Sequence, residues 1–433
     1  NTFLQMVTSG RVASGYLEAI MDVRNQVAAV HMRKVLHLPV LALLAAMAIP
    51  AAAATPEETA REVLAKSPII DGHNDTPHQI AELFDRDFSK FDLAALPADV
   101  LAKTHTDIKT ARAGYLGGQY WSVYVDAALP KHEAVTRTIQ QIDVVRQMMA
   151  RYPETFTYAA TAAQVEAAIK KGKIASLIGM EGGHSIGGSL EILRQTYALG
   201  ARYMTLTHSL TTNWADSATD APKHDGLSAF GFEVLAEMNQ LGMIADISHV
   251  SEATMHDVLD KSKAPVLFTH SNARAVTPHP RNVPDSVLQR LPQNGGVVMV
   301  TFVPGFTSAE RRQWEYQRSA VAGRAKTEFS GNPAGEKATV DAWIVANPQP
   351  KATLAQVADH IDHIRKVAGI DHIGIGGDFG GVDELPVGLE NVSTYPALFA
   401  ELVRRGYSKA DLAKIAQGNV LRVMHAVEKA ARK

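Results

Sequence analysis

Short apolar or β-branched runs alternate with segments of helical periodicity from Thr55 to the end of the 433-residue chain. This alternation constrains the fold more than any other feature. Eight of the runs are predicted to be strands, at residues 68–70, 119–125, 174–180, 203–207, 243–247, 265–269, 295–302 and 372–376. Helical periodicity is clearest in residues 133–152, 189–199, 227–241, 252–261, 354–367, 395–405 and 408–430. Eight βα units in roughly 375 residues favour an α/β fold, a parallel (β/α)8 TIM-type barrel with insertions, over an open doubly wound sheet.

The composition is that of an ordinary globular protein and excludes several classes of function. Hydrophobic residues make up 46% of the chain, charged residues make up 20%, and the formal net charge is −2. Neither a nucleic-acid partner nor a polybasic membrane contact is therefore expected. The chain has no cysteine, which excludes disulfides, thiolate metal sites and cysteine nucleophiles. No GxGxxG or Walker sequence opens a helix, which argues against nucleotide binding.

The first 54 residues have the features of a targeting segment. Met32-Arg33-Lys34 supplies a start and a basic region, residues 35–49 are apolar, and four alanines then offer a small-residue cleavage site. We therefore interpret residues 32–54 as a signal peptide for export, to the periplasm in a bacterium. Residues 1–31 precede that start and are interpreted as an upstream artefact.

The rest of the chain, residues 55–433, is predicted to form a single catalytic barrel domain. Two connections, residues 87–118 and 304–351, are long and polar, as expected of lids or of the contact surface in a homodimer. The C-terminus has no hydrophobic tail, so no stable membrane anchor is expected.

Ionisable side chains follow six of the eight predicted strands. In chain order they are His73 and Asp75, Glu181 and His184, His208, His249, His270 and Asp378. In a parallel barrel the carboxyl ends of all strands lie at one rim, where the active sites of such barrels are found. The sequence therefore predicts that these side chains meet there.

The residue types at this rim suit divalent metal ions. An imidazole and a carboxylate at one strand end, such as His73 and Asp75, match the nitrogen and oxygen ligands of Zn²⁺. Glu181 is the natural bridging ligand, because a carboxylate has two oxygens. A pair of metal ions lowers the pKa of a shared water and polarises the carbonyl that it attacks. With no cysteine in the chain, a metal-activated water is the most economical nucleophile.

Other polar residues have simpler interpretations. Asp71 precedes a glycine and is interpreted as a turn former, and Asp246 is a candidate to orient a metal ligand. His184 is interpreted as a loop group or a neighbour of the ligands. His360 and His363 share a helix face on the outer ring, so no metal role is expected. Five further histidines without strand-end placement are interpreted as surface or core residues: His105, His132, His224, His256 and His425.

As a set, the motifs of the chain resemble the membrane (renal) dipeptidase family, peptidase family M19. They are Asp71-Gly72-His73-Asn74-Asp75, Glu181-Gly182-Gly183-His184, Thr207-His208-Ser209 with Asn213-Trp214-Ala215-Asp216, Asp246-Ile247-Ser248-His249, Thr269-His270-Ser271-Asn272-Ala273-Arg274, Arg281-Asn282-Val283-Pro284-Asp285 and Gly376-Gly377-Asp378-Phe379. They occur in the family's order and cover almost the whole chain after the predicted signal peptide.

The resemblance implies a metal-dependent hydrolase barrel that carries two Zn²⁺ ions. His73 and Asp75 would hold one ion and His249 and His270 the other, with Glu181 as the bridge. The implied activity is hydrolysis of the peptide bond of dipeptides by a metal-bridging hydroxide. The family also accepts a D-residue at the C-terminal position, and some members open β-lactams.

The resemblance also implies how a dipeptide substrate is held. His208 matches the histidine that steadies the oxyanion of the tetrahedral intermediate. Arg281 matches the arginine that binds the substrate's C-terminal carboxylate, for which a planar guanidinium is well suited. Asp378 matches the aspartate near the attacking water and the free amine of the substrate.

The chain departs from the family pattern at His78, where an aromatic residue is common, and at Gly380, where an aspartate is common. These differences leave the side-chain preference open. Two alternatives are a hydrolase of other amides, such as N-acyl-D-amino acids, and a non-catalytic barrel protein. The filled ligand positions argue against the second alternative, and Arg281 argues for a substrate with a free carboxylate.

Overall fold

The computed structural model describes residues 54–431. The predicted upstream segment, and the predicted signal peptide up to residue 53, lie outside the described residues. Among residues 54–431, no helix has both the length and the apolar character needed to cross a membrane.

Eight parallel strands close into a barrel, and a ninth short strand joins the sheet, within the described residues. The strands are β1 (Ile69–Asn74), β2 (Leu116–Tyr124), β3 (Phe156–Tyr158), β4 (Ile174–Glu181), β5 (Ala201–Thr205), β6 (Ile244–Asp246), β7 (Leu267–Phe268), β8 (Val297–Val300) and β9 (Ile373–Ile375). Because β1 pairs with β9 and β2 pairs with β4, the ring runs β1-β2-β4-β5-β6-β7-β8-β9. The predicted TIM-type barrel is confirmed, and each predicted strand overlaps one strand of the ring.

The sequence did not reveal β3. This strand pairs with residues 174–176 of β4, whereas residues 178–181 of β4 pair with β5. Of its three residues, Phe156 is buried, Thr157 is half-buried and Tyr158 is exposed, so they do not form a buried apolar run. It lies beside the amino-terminal half of β4 and so leaves the carboxyl rim of the barrel unchanged.

Helices surround the barrel and fill its long connections. They are α1 (Pro56–Lys66), α2 (Thr76–Phe84), α3 (Ala98–Thr104), α4 (Ile108–Ala113), α5 (Lys131–Arg151), α6 (Ala162–Lys170), α7 (Leu190–Ala198), α8 (Ala229–Leu241), α9 (Glu252–Lys261), α10 (Asp285–Leu288), α11 (Leu291–Asn294), α12 (Pro304–Thr307), α13 (Ala309–Glu328), α14 (Pro333–Ala346), α15 (Leu354–Val367), α16 (Tyr395–Arg404), α17 (Lys409–Ala413) and α18 (Asn419–Ala431). The connection 87–118 contains α3 and α4, and the connection 304–351 is mostly helical, with α12, α13 and α14.

The helix predicted for residues 408–430 is interrupted in the structure. A π-helical turn, Lys414–Gly418, separates α17 from α18. The amide of Asn419, at the start of α18, donates hydrogen bonds of 2.8 Å and 2.9 Å to the carbonyls of Ile370 and Ile373. The wider turn shifts the helix register, and we attribute the interruption to this anchoring of Asn419 beside β9.

Two buried clusters form the core. Ile69 belongs to the larger cluster, whose members from strands and helices pack together around the barrel. Ile70, the next residue of β1, belongs to the second cluster with Leu177 and Met299 from other strands. Neighbouring strand residues thus alternate between the outer layer and the barrel interior.

Candidate metal centre

Glu181 lies at the centre of the side chains that the strand ends bring together. It ends β4, and its side chain is buried. Its Oε2 lies 3.4 Å from Nε2 of His73, whereas its Oε1 lies 3.1 Å from Nε2 of His249 and 3.6 Å from Nε2 of His270. The two oxygens of one carboxylate therefore face two separate groups of side chains.

The first group combines His73 with Asp75. Nε2 of His73 lies 3.2 Å from Oδ2 of Asp75, the residue that caps α2 directly after β1. Nε2 of His73 and Oδ1 of Asp75 are both buried and have no hydrogen-bond partner among the described residues. Because buried polar atoms are normally paired, a cation between these two side chains would satisfy both.

The second group combines His249 with His270, whose Nε2 atoms lie 2.8 Å apart. Burial, followed by the positive charges nearby, lowers the pKa of both imidazoles well below the usual value. Both rings are therefore neutral at neutral pH. Neutral imidazoles with converging nitrogens are the form in which histidine binds Zn²⁺.

Neighbouring hydroxyl groups orient two of these imidazoles. The hydroxyl of Thr269 donates its hydrogen to Asp246 at 2.7 Å and lies 2.9 Å from Nδ1 of His270. The hydroxyl must therefore accept the Nδ1 hydrogen of His270, which leaves Nε2 with a free lone pair. Tyr203 lies at His73 as Thr269 lies at His270, with its hydroxyl 3.0 Å from Nδ1 of His73.

Glu181 has the charge expected of a metal ligand, whereas His73 does not. Burial opposes ionisation of Glu181, but the surrounding imidazoles outweigh it and hold its pKa well below the usual value. Burial lowers the pKa of His73, yet the hydroxyl oxygen of Tyr203 and the carboxylates of Glu181 and Asp75 raise it well above its usual value. A divalent cation would take the place of that proton, since metal ligands bind in their deprotonated form.

Asp378, after β9, adds a third buried carboxylate. Its Oδ1 lies 3.9 Å from Nε2 of His73. Burial, together with the carboxylates of Asp75 and Glu181, raises the pKa of Asp378 to about 8. Its φ of 63° is uncommon for a residue other than glycine, and such strain concentrates at functional sites.

These features fit a metal site. Three overlapping sets of three side chains each offer ligand atoms within 4.8 Å of one another: His73 with Glu181 and His270, Glu181 with His208 and His249, and His73 with Asp75 and Asp378. Three carboxylates buried so close together repel one another unless cations accompany them. The donor set of imidazoles and carboxylates suits zinc and related divalent ions.

A cavity of about 350 Å³ opens beside the cluster and is lined by His208 and Arg281. The guanidinium of Arg281 is buried and donates to the carbonyl of His270 at 3.2 Å and to the hydroxyl of Ser271 at 3.4 Å. Burial lowers the pKa of Arg281 to about 10, so the side chain stays protonated at neutral pH. Two hydrogen bonds use two of its five donors, which leaves donors for an anion in the cavity.

His208 is placed differently from the other imidazoles. Its Nε2 lies 3.8 Å from Oε1 of Glu181, and its Nδ1 is buried without a partner among the described residues. Its ring packs against those of Tyr124 and His249, with centroids 4.9 Å and 4.5 Å away. His208 thus presents Nε2 to the cavity from the edge of the cluster.

The interpretation of Asp71 as a turn former is wrong. Asp71 lies inside β1, and its carboxylate accepts hydrogen bonds from the backbone of His73 and Gly377, from the amide of Gln119 and from the hydroxyl of Tyr395. It therefore holds the ends of β1 and β9 together, directly beside His73 and Asp378. A buried carboxylate with four donors is a structural anchor.

Asp246 occupies the position suggested for a residue that orients a ligand. It ends β6 and accepts hydrogen bonds from the hydroxyls of Thr205 and Thr269 and from the backbone of Ser248 and Thr269. The strands β5, β6 and β7 are thereby joined beneath the ligands. The hydrogen-bonding roles of Tyr203 and Thr269 were not predicted.

The other histidines of residues 54–431 lie outside the cluster. His184 donates from Nε2 to the carbonyl of Val125 at 3.1 Å. His360 is buried between Ala273 and Thr307, and His363 pairs with Asp285 at 2.8 Å.

A closed parallel barrel with this buried imidazole–carboxylate cluster at its carboxyl rim defines a metal-dependent hydrolase. The model of the membrane dipeptidase family, peptidase family M19, matches residues 57–433. A Schizosaccharomyces pombe protein described as an uncharacterized dipeptidase is 42% identical over 388 residues, which is 86% of this chain and 84% of that protein. The chain belongs to family M19 and is a metallo-dipeptidase.

Solved structures of the same fold include the probable dipeptidase PvdM from Pseudomonas aeruginosa. It is similar with a TM-score of 0.73 and 24% identity over 87% of this chain and 99% of its own. A metallopeptidase from Rhodobacter sphaeroides, solved with a phosphinate mimic of the dipeptide L-Ala-D-Ala, is similar with a TM-score of 0.68 and 23% identity over 83% of this chain and 99% of its own. At this identity the likeness supports the fold.

Proposed function

We propose that this chain is an exported dizinc dipeptidase that hydrolyses dipeptides, including those with a C-terminal D-residue. The observation that carries the proposal is the position of Glu181. One carboxylate oxygen faces His73 and the other faces His249 and His270, as a ligand shared by two ions requires. His73 and Asp75 would hold one zinc ion, and His249 and His270 the other.

The zinc ions would supply a water of lowered pKa and would polarise the carbonyl of the peptide bond. The protein's contribution is to fix the ligands. Asp246, through Thr269, keeps Nε2 of His270 free of hydrogen, and Tyr203 holds the ring of His73 from the barrel interior. Ligands held in this way need little rearrangement when metal binds.

The two ends of a dipeptide would be bound by opposite charges. Arg281, which follows β7, is a buried cation with spare donors for the C-terminal carboxylate. Zinc ions nearby would lower the raised pKa of Asp378. The ionised carboxylate, which follows β9, would then bind the free amine or exchange a proton with the attacking water. A cavity of about 350 Å³ with a charge at each end favours short peptides with two free termini.

His208 would stabilise the transition state. Burial lowers the pKa of its imidazole, so the ring is neutral and can donate a hydrogen bond from Nε2. Such a donor, placed beside Glu181 at the edge of the cavity, suits the oxygen that becomes negative when the carbonyl is attacked.

Acceptance of a D-residue draws support from the R. sphaeroides structure, whose bound ligand mimics L-Ala-D-Ala. Export draws support from the basic and apolar pattern of residues 32–54, and a homodimer remains a prediction from the long insertion 304–351.

A panel of substrates with free and blocked termini tests the proposed function. Hydrolysis of L-Ala-L-Ala and L-Ala-D-Ala is compared with that of their N-acetylated and C-amidated forms. Blocking either terminus is expected to lower kcat/KM about 100-fold, because each removes a charged hydrogen bond from a desolvated site. Faster hydrolysis of the N-acetylated forms would instead favour an amidase of N-acyl amino acids.

A further inference from the structure

A second cavity of about 400 Å³ adjoins the active-site cavity, and we call it the outer cavity. His78 and Tyr124 line both cavities. Their rings meet edge to face, with centroids 5.0 Å apart. This pair of rings therefore forms the boundary between the two cavities.

The outer cavity lies on the side of the barrel away from Arg281. Tyr124 ends β2, and His78 lies in the first turn of α2, directly after β1. In the ring of eight strands, β2 stands four strands from β7, and Arg281 follows β7. If Arg281 binds the C-terminal carboxylate of a dipeptide, the N-terminal residue lies towards β1, β2 and β9.

The outer cavity offers acceptors of hydrogen bonds. Glu82 and Asp126 line it, and among the ion pairs of residues 54–431 neither carboxylate has a cation partner within 4.0 Å. Gln141 also lines it, is 93% buried, and has an amide oxygen without a hydrogen-bond partner in the same part of the chain. An unpartnered buried acceptor beside two carboxylates points to a ligand that donates hydrogen bonds.

The cations of the outer cavity already have partners. Arg86 lies 2.6 Å from the carboxylate of Asp85, and Arg137 lies 3.7 Å from that of Glu133. Their charges are partly neutralised, so Glu82 and Asp126, which have no cation partner, give the cavity a preference for positive ligands.

Within the dipeptidase function proposed above, we propose that the outer cavity receives the side chain of the substrate's N-terminal residue. It selects long side chains that end in an ammonium or guanidinium group. Such a chain passes beside the ring pair of His78 and Tyr124, and its charged end lies among Glu82, Asp126 and Gln141.

The test compares kcat/KM for Lys-Ala and norleucyl-Ala, whose side chains share the same four-carbon chain and differ by the terminal ammonium group of lysine. Lys-Ala is expected to be preferred about five-fold at low salt, and the preference is expected to fall as salt is raised. In the Glu82→Gln/Asp126→Asn variant, the ratio of kcat/KM for Lys-Ala to kcat/KM for norleucyl-Ala is expected to fall to about one. The ratio is measured within each variant, so a general loss of activity does not affect it.

Asp383→Asn is the matched control. The substitution removes a negative charge from an exposed residue that lies beside the active-site cavity and does not line the outer cavity. The ratio in this variant is expected to remain that of the wild type. A loss of preference equal to that of the double variant would mean that general charge attraction, and not the outer cavity, causes it.

Dipeptides with the two residues in reverse order test whether the outer cavity receives the N-terminal and not the C-terminal side chain. Ala-Lys and Ala-norleucine are expected to be hydrolysed with equal kcat/KM, and a preference for Ala-Lys would overturn the placement. Equal rates for Lys-Ala and norleucyl-Ala in an enzyme that hydrolyses other dipeptides would refute only the outer-cavity proposal. Failure to hydrolyse any dipeptide would refute the proposed function itself.

Discussion

His360 gives the fold a pH dependence that can be worked out from its contacts. Its Nδ1 accepts the backbone N–H of Ala273 at 3.1 Å, and its Nε2 donates to the carbonyl of Thr307 at 3.0 Å. Only the neutral ring with hydrogen on Nε2 fits both partners, because a hydrogen on Nδ1 would oppose that of Ala273. Burial lowers the pKa of His360 to about 4, against 6.5 for a free imidazole.

The sign and size of this pH effect on stability follow from the linkage between proton binding and folding. Because the folded-state pKa is below the unfolded-state pKa, stability is full above pH 6.5 and is lost as the pH falls towards 4. The difference between the two pKa values corresponds to about 3 kcal/mol below pH 4 and about 2 kcal/mol at pH 5.

Urea unfolding at pH 8 and pH 5 measures this loss, with His360→Gln compared with the wild type at equal zinc concentration. Other buried histidines and carboxylates also titrate, so the difference between the two proteins isolates His360. The wild type is expected to lose about 2 kcal/mol more than the variant between these pH values. His132→Gln, at an exposed position of α5, is the control and is expected to behave as the wild type. Equal pH dependence in the wild type and His360→Gln would refute the reasoning.

The remaining predictions concern the metal centre. Glu181→Gln is expected to abolish turnover and to lower the zinc content of the purified protein, since an amide is a poor bridge; full activity would contradict the assignment. Asp246→Asn is expected to weaken zinc binding about 10- to 100-fold, measured by competition with a chelator. Arg281→Lys is expected to lower kcat/KM for free dipeptides much more than for their C-terminal amides. Gly179→Ala, whose Cβ would lie 2.0 Å from the ring of Tyr203, is expected to destabilise the protein by about 1–3 kcal/mol in thermal unfolding.

Much of the fold and of the side-chain cluster at its rim could be predicted because their signals are local. β4 runs directly into Glu181, and the apolar run before His249 ends two residues earlier, so the position of each candidate ligand follows from recognising its strand. The parallel arrangement of the strands then places all these ends at one rim. No knowledge of distant contacts was needed for this step.

The supporting contacts could not be predicted because they join residues far apart in sequence. Tyr203 reaches His73 across 130 residues, and Tyr395 reaches Asp71 across 324 residues. Asp71 was misread because the glycine after it suggests a turn, whereas β1 continues through both residues to Asn74. β3 was missed because its three residues do not form a buried apolar run.

Metal dependence is the central claim, and one titration tests it most directly. The purified protein is freed of metal with a chelator, its metal content is measured, and zinc is then restored in steps while hydrolysis of L-Ala-D-Ala is followed. We expect no activity without metal and a return of activity that levels off at about two zinc ions per chain. Full activity in a protein shown to contain no metal would refute the metal dependence.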